Sequence, residues 1–130
     1  SITNALCLVK FMFPNQYSIY LHDTPSKPLF DLEVRAFSHG CIRLQKPFEF
    51  AYELLKPQTE DPKTTFNDAM STGEETVVYL RQPVPVHLIY RTAFVDELGA
   101  INYRRDIYRR DAAIYEALIN AGVQAESFSG

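Results

Sequence analysis

The residues best suited to chemistry lie in two short stretches, His22-Asp23-Thr24-Pro25 and Ser38-His39-Gly40-Cys41-Ile42-Arg43. Cys7 lies in an apolar run, as a structural cysteine does, whereas Cys41 sits in a polar turn followed at once by an arginine. Cationic or imidazole neighbours favour the reactive thiolate over the thiol. The pattern therefore points to a cysteine nucleophile activated by histidine. Such a nucleophile needs a base, a group that orients the base, and donors for the oxyanion. Two imidazoles compete for the role of base. His39 is two residues from Cys41 and shares its face only if the segment is extended, which a turn at Gly40 interrupts. His22 ends a strand, and the excursion that follows can return Cys41 beside it. Spacing leaves both open.

Gly40 gives the backbone freedom for amides near Gly40 and Cys41 to converge on one point, as an oxyanion hole requires. Arg43 can grip a substrate carboxylate through two parallel hydrogen bonds; the plainer reading is a surface arginine. His39 can equally be a structural hydrogen bonder. Tyr17 and Tyr20 are placed to line a groove approaching His22, and His87 reads as structural. His22, Asp23, His39 and Cys41 are all zinc-ligand types. They lack H-x-x-x-H or C-x-x-C spacing, and a zinc site leaves Gly40 and Arg43 without a task. Neither a metal nor another cofactor is expected.

The elements that must hold these groups are short. Residues 6–13 (L-C-L-V-K-F-M-F) and 17–22 (Y-S-I-Y-L-H) predict an antiparallel pair turning at Pro14-Asn15. Two prolines within D-T-P-S-K-P oppose a helix after His22. Pro47 opens a short helix with Phe48, Ala51, Leu54 and Leu55 inward, stopped by Pro57. A second helix, capped by Thr64 or Thr65, runs through Met70 and ends at Gly73. Residues 75–80 predict a strand, and 86–95 with 100–104 a hairpin whose alternation buries one face. A last helix beyond Asp106 carries Ile107, Tyr108, Ala112, Ile114, Tyr115, Leu118 and Ile119, with Gly122 as a left-handed cap. Most tyrosines and phenylalanines are expected in core and sheet packing. The expected class is mainly β, with short peripheral helices, and not the alternation of parallel α/β units.

A chain of 130 residues, 46% hydrophobic and 22% charged, is long enough for one modest domain and is not of disordered composition. Its formal charge of -3 gives no long-range attraction to nucleic acid or anionic lipid. No apolar run approaches the roughly 20 residues of a membrane span. Two cysteines permit one disulfide, Cys7 to Cys41, but a nucleophilic Cys41 requires a reduced thiol.

The motif resembles that of the L,D-transpeptidase catalytic domain, or YkuD domain: a histidine, an interval, then Ser/Thr-His-Gly-Cys with Arg or Asn two residues on. Here these are His22 and Ser38-His39-Gly40-Cys41-Ile42-Arg43. The flanks N4-A5-L6, K10-F11-M12-F13-P14-N15, I19-Y20-L21-H22-D23-T24-P25, L29-F30 and R35-A36-F37-S38 are similar too. So are V95-D96-E97-L98-G99 and R105-D106-I107-Y108, which resemble the end of the larger Gram-negative enzymes. The resemblance implies a YkuD-like β-sandwich or mixed-sheet domain over residues 1–121, lacking upstream strands, with a flexible tail at 122–130. Cys7 departs from the N-A-L-G usual in similar proteins.

The resemblance implies Cys41 as nucleophile, His22 as its base and the backbone carbonyl of Asp23 as the orienting group. His39, Gly40 and Cys41 amides then form the oxyanion hole, while Ser38, Tyr20 and Arg43 contact or support substrate. The implied reaction joins two peptidoglycan stems. Cys41 attacks the tetrapeptide donor at the L-centre of diaminopimelate and releases D-alanine. An acceptor stem's diaminopimelate amine then resolves the thioester into a 3→3 cross-link. Relatives hydrolyse the intermediate, attach lipoproteins or exchange D-amino acids; a catalytically dead peptidoglycan-binding module is a further alternative. The resemblance also implies acylation by carbapenems, a role in cell-wall biogenesis and cell shape, and a periplasmic location with an inner-membrane anchor outside this chain.

Overall fold

The computed structural model describes residues 8–37 and 40–124, so the expectations for Cys7, Ser38 and His39 lie outside the described residues. The backbone divides into two compact units, Ser1–Val86 and His87–Gly130.

In the first unit, β1 (Lys10–Phe11), β2 (Leu21–His22) and β3 (Ile42–Arg43) form a sheet in that order. The predicted β1–β2 pair is antiparallel, with Lys10 opposite His22 and Phe11 opposite Leu21. Asn15 closes the connection as an Asx turn does. Its Oδ1 accepts the amides of Tyr17 and Ile19 at 3.1 and 2.9 Å, and its Nδ2 donates to the Phe13 and Ile19 carbonyls at 3.0 and 2.7 Å. After β2 the chain enters a five-residue 3-10 helix at Lys27–Asp31. The two prolines did not prevent it, because Pro28 falls in the first turn, where its missing N–H costs nothing.

Two helices follow. α1 (Pro47–Leu55) starts on Pro47, and Ala51 and Leu55 on its inner face are buried. α2 (Pro62–Ser71) is capped by Asp61, not by a threonine. Pro62 fixes the first helical position, and the Asp61 carboxylate accepts the Thr64 amide at 3.0 Å and the Thr64 hydroxyl at 2.7 Å. Gly73 then takes a left-handed φ of +69°. Phe66 packs from α2 against Phe48 and Tyr52 of α1, with ring centroids 5.3 and 5.5 Å away. Val9, Phe11 and Leu80 lie against this cluster. Phe11 also meets Phe50 edge-on at 4.9 Å, so β1 is tied to α1.

The second unit pairs β4 (Ala93–Val95) with β5 (Ile101–Tyr103) in an antiparallel hairpin. Asp96 organises its turn: Oδ1 accepts the Leu98 and Ala100 amides, Oδ2 accepts Asn102, and Gly99 supplies φ +83°. α3 (Asp111–Asn120) begins later than the pattern predicts. Arg109 has φ +53°, which breaks the helix upstream and leaves Ile107 and Tyr108 outside it. Asp106 joins the helix start to the hairpin side of this unit, accepting the Asp111 amide at 2.8 Å and the Tyr90 hydroxyl at 2.7 Å. At the other end Gly122 is left-handed as expected. Val123 donates to Leu118 and Gly122 to Ile119, the paired bonds of a Schellman cap.

The mainly β expectation needs correction. The described strands are two or three residues long, whereas the α-helices have nine or ten. Residues 75–80 form no strand and join no ladder among the described residues. At the end of this stretch Gln58 bonds the backbone from the side, donating to the Tyr79 carbonyl at 3.0 Å and accepting the Arg81 amide at 2.8 Å. Aromatic burial was also overestimated: Tyr17, Tyr79 and Tyr103 are exposed. Among the described residues no helix is long and apolar enough to cross a membrane.

Candidate active site

β2 and β3 run parallel, with Leu21 opposite Ile42 and His22 opposite Arg43. The Ile42 amide donates to the Tyr20 carbonyl at 3.1 Å, and the Leu44 amide to the His22 carbonyl at 2.9 Å. In a parallel ladder, opposed residues point to the same face, and faces alternate along each strand. Tyr20, His22, Cys41 and Arg43 are therefore placed on one face, with Lys10 of β1 joining them as the other register partner of His22. The excursion after His22 brings β3 back alongside β2, and the register carries Cys41 to the level of Tyr20. Cys41 is half-buried and leads into β3, not into the start of a long helix.

The imidazole of His22 is held from two sides. Its Nδ1 lies 2.5 Å from the Asp23 carbonyl, and the Tyr20 ring sits 5.6 Å away at 51°. A carbonyl can only accept, so Nδ1 carries the proton and Nε2 is the basic nitrogen. The Asp23 amide in turn donates to the Val9 carbonyl at 3.0 Å, which ties this residue to the one preceding β1.

The sequence offered Asp23 as a backbone carbonyl or a zinc ligand, not as an ion-pair partner, and Lys27 had no assigned role. The Asp23 side chain is buried, and its Oδ1 accepts the Thr24 amide at 2.7 Å and the Lys27 ammonium at 2.8 Å. Lys27 also donates to the carbonyls of Leu44 at 3.0 Å and Gln45 at 2.9 Å. The i,i+4 spacing of Asp23 and Lys27 was the available signal. Thr24 is buried as well, and its hydroxyl accepts the Ser26 amide.

Burial pushes the Asp23 carboxyl up, but the Lys27 hydrogen bond, the Thr24 amide and the Lys27 charge together bring it below the usual carboxylate range. A carboxyl with a lowered folded-state pKa stabilises the fold above its unfolded value of ~3.9, and this contribution is lost as pH falls through the folded value. The stability gap between the wild-type protein and Asp23→Asn should thus be present at neutral pH and close in acid. Urea titrations of both proteins from pH 7 to pH 2 measure it; a gap that is constant across that range refutes the assignment.

Gly40 is exposed, and a Cβ built there would meet no heavy atom of the described residues within 4 Å. Glycine leaves open space next to Cys41. Arg43 is half-buried, Tyr17 is exposed, and His87 is exposed in the other unit. Among the described residues no three His, Cys, Asp or Glu side chains converge as a metal site, and His39 of the zinc alternative lies outside them.

The family model for the L,D-transpeptidase catalytic domain, YkuD, matches residues 1–86. The Haemophilus influenzae protein named "Putative L,D-transpeptidase" is 38% identical over 117 residues, which cover 90% of this chain. The chain spans only 24% of that relative's length.

Proposed function

This chain belongs to the YkuD family of L,D-transpeptidase catalytic domains, and from that premise we propose that it cross-links peptidoglycan stems through a thioester on Cys41. The observation that supports this reading is the β2–β3 register, which sets Cys41 and His22 on one face with Tyr20 and Arg43. Two strands about 4.8 Å apart, with residues rising about 3.3 Å each, put a diagonal pair such as His22 and Cys41 within side-chain reach.

Nε2 of His22 takes the Cys41 proton, and the thiolate attacks the carbonyl between the L-centre of diaminopimelate and D-alanine. The tetrahedral oxyanion is stabilised by backbone amides around Gly40 and Cys41. Collapse breaks the C–N bond; the imidazolium returns its proton to the departing D-alanine amine. The acceptor amine of a second stem then loses a proton to His22, attacks the thioester, and expels the Cys41 thiolate as the new amide forms. Arg43 holds a stem carboxylate, and Tyr20 flanks the imidazole. No cofactor takes part. The site of action is the periplasm, where these stems are found.

Acceptor choice is tested by the products. Purified disaccharide-tetrapeptide incubated with the protein should give, by mass spectrometry, dimers that have lost one D-alanine. Uncross-linked tripeptide alone overturns the transferase reading in favour of an L,D-carboxypeptidase. An amine outcompetes water only if the site orients it.

A further inference from the structure

Lys27 connects the two strand ends on which the proposed chemistry depends. All three of its ammonium hydrogens have acceptors: Asp23 Oδ1 at 2.8 Å, the Leu44 carbonyl at 3.0 Å and the Gln45 carbonyl at 2.9 Å. Asp23 directly follows β2, and Leu44 and Gln45 directly follow β3. The lysine therefore bridges the residue after His22 to the residues after Arg43. On the β2 side, the bridged residue is also the one whose carbonyl holds Nδ1 of His22. Swinging the Asp23 peptide away would release the imidazole, and the ammonium is what ties its side chain across to β3.

We infer that Lys27 is a positioning residue, which fixes the tautomer and direction of the His22 ring by clamping Asp23 to the end of β3. This inference rests on the proposed role of His22 as the base. Lys27 touches no reacting atom, and its effect passes through Asp23. A three-point clamp requires a compact ammonium with three separately directed donors. Arginine keeps the charge but presents a planar fork, which suits the carboxylate better than two successive backbone carbonyls. The other charged groups around His22, Lys10 from β1 and Arg43 from β3, do not change in the variants below, so an altered ring reports the clamp.

The test uses the full chain labelled with 15N on histidine, of which there are three. Imidazole nitrogen shifts identify which nitrogen carries the proton, and carbapenem acylation of Cys41 is timed by intact mass in the same samples. In the wild-type protein His22 should be the Nδ1–H tautomer. In Lys27→Met a Nε2–H population should appear, and acylation should slow by roughly 10- to 100-fold, as displaced catalytic groups do. A folded Lys27→Met protein with the wild-type tautomer and rate overturns the inference, even if its melting temperature falls. Should Lys27→Met not fold, Lys27→Arg is read by the same criteria, with partial loss expected and wild-type values again overturning it. His22→Ala separates the two readings. If that substitution leaves acylation unchanged, His22 is not the base; if it slows acylation while the Lys27 variants do not, only the clamp is wrong.

Discussion

With Cys41 replaced by alanine, the protein should gain no mass from either a tetrapeptide stem or a carbapenem. His22→Ala should still be acylated, but roughly 10²- to 10⁴-fold more slowly, the range that a positioned general base supplies. The asymmetry follows from the chemistry. Without the sulfur there is no atom to carry the acyl group, whereas without the imidazole the residual thiolate fraction still reacts. The shared strand face motivates both expectations: Cys41 lies two residues before Arg43, the register partner of His22. Intact-mass spectra that show equal acylation of Cys41→Ala and wild-type protein refute the assignment of the nucleophile. Retention of stems with no covalent gain in the wild-type protein identifies a binding module instead.

The chemical centre was more legible in the sequence than the scaffold around it. Motif residues are local, so Ser-His-Gly-Cys and the strand-end His22 can be read without knowing the pairing. Whether His22 shares a face with Cys41 could not be read that way, because it depends on a parallel register between segments twenty-one residues apart; His39 lies outside the described residues. The helices at Pro47 and Gly122 were legible because proline and glycine carry their own backbone rules. Strand lengths were not. The β-branched and aromatic residues of 75–80 favour extended backbone, but they do not say whether a neighbouring strand accepts it. Here Gln58 supplies that partner from a side chain. Lys27 escaped notice because two of its acceptors are carbonyls seventeen and eighteen residues away. Such bonds have no residue-type signature.

Phe66→Ala should be the most damaging substitution away from the catalytic groups. Phe66 is only 8% exposed and is in contact with both Phe48 and Tyr52. The buried hydrophobic residues beside it are Ala51 and Leu55. Truncating a buried phenylalanine costs about 3–5 kcal/mol from lost transfer free energy and the cavity left behind. A domain of this size has a total stability of roughly 5–15 kcal/mol, and among the described residues of the first unit the buried hydrophobic residues are Ala51, Leu55 and Phe66, so the loss is a large share of it. The damage should reach the site as well. Phe66 braces α1, and Phe50 of α1 meets Phe11, whose strand pairs with the one that ends in His22. A urea titration of Phe66→Ala should show a clear fall in midpoint, or no folded baseline at all. Phe37→Ala makes a suitable control, since that ring is 48% exposed and should change the midpoint little. Equal midpoints for Phe66→Ala and wild-type protein would mean that the α1–α2 cluster is not what holds this unit together, and that the sheet bearing His22 and Cys41 is supported from elsewhere.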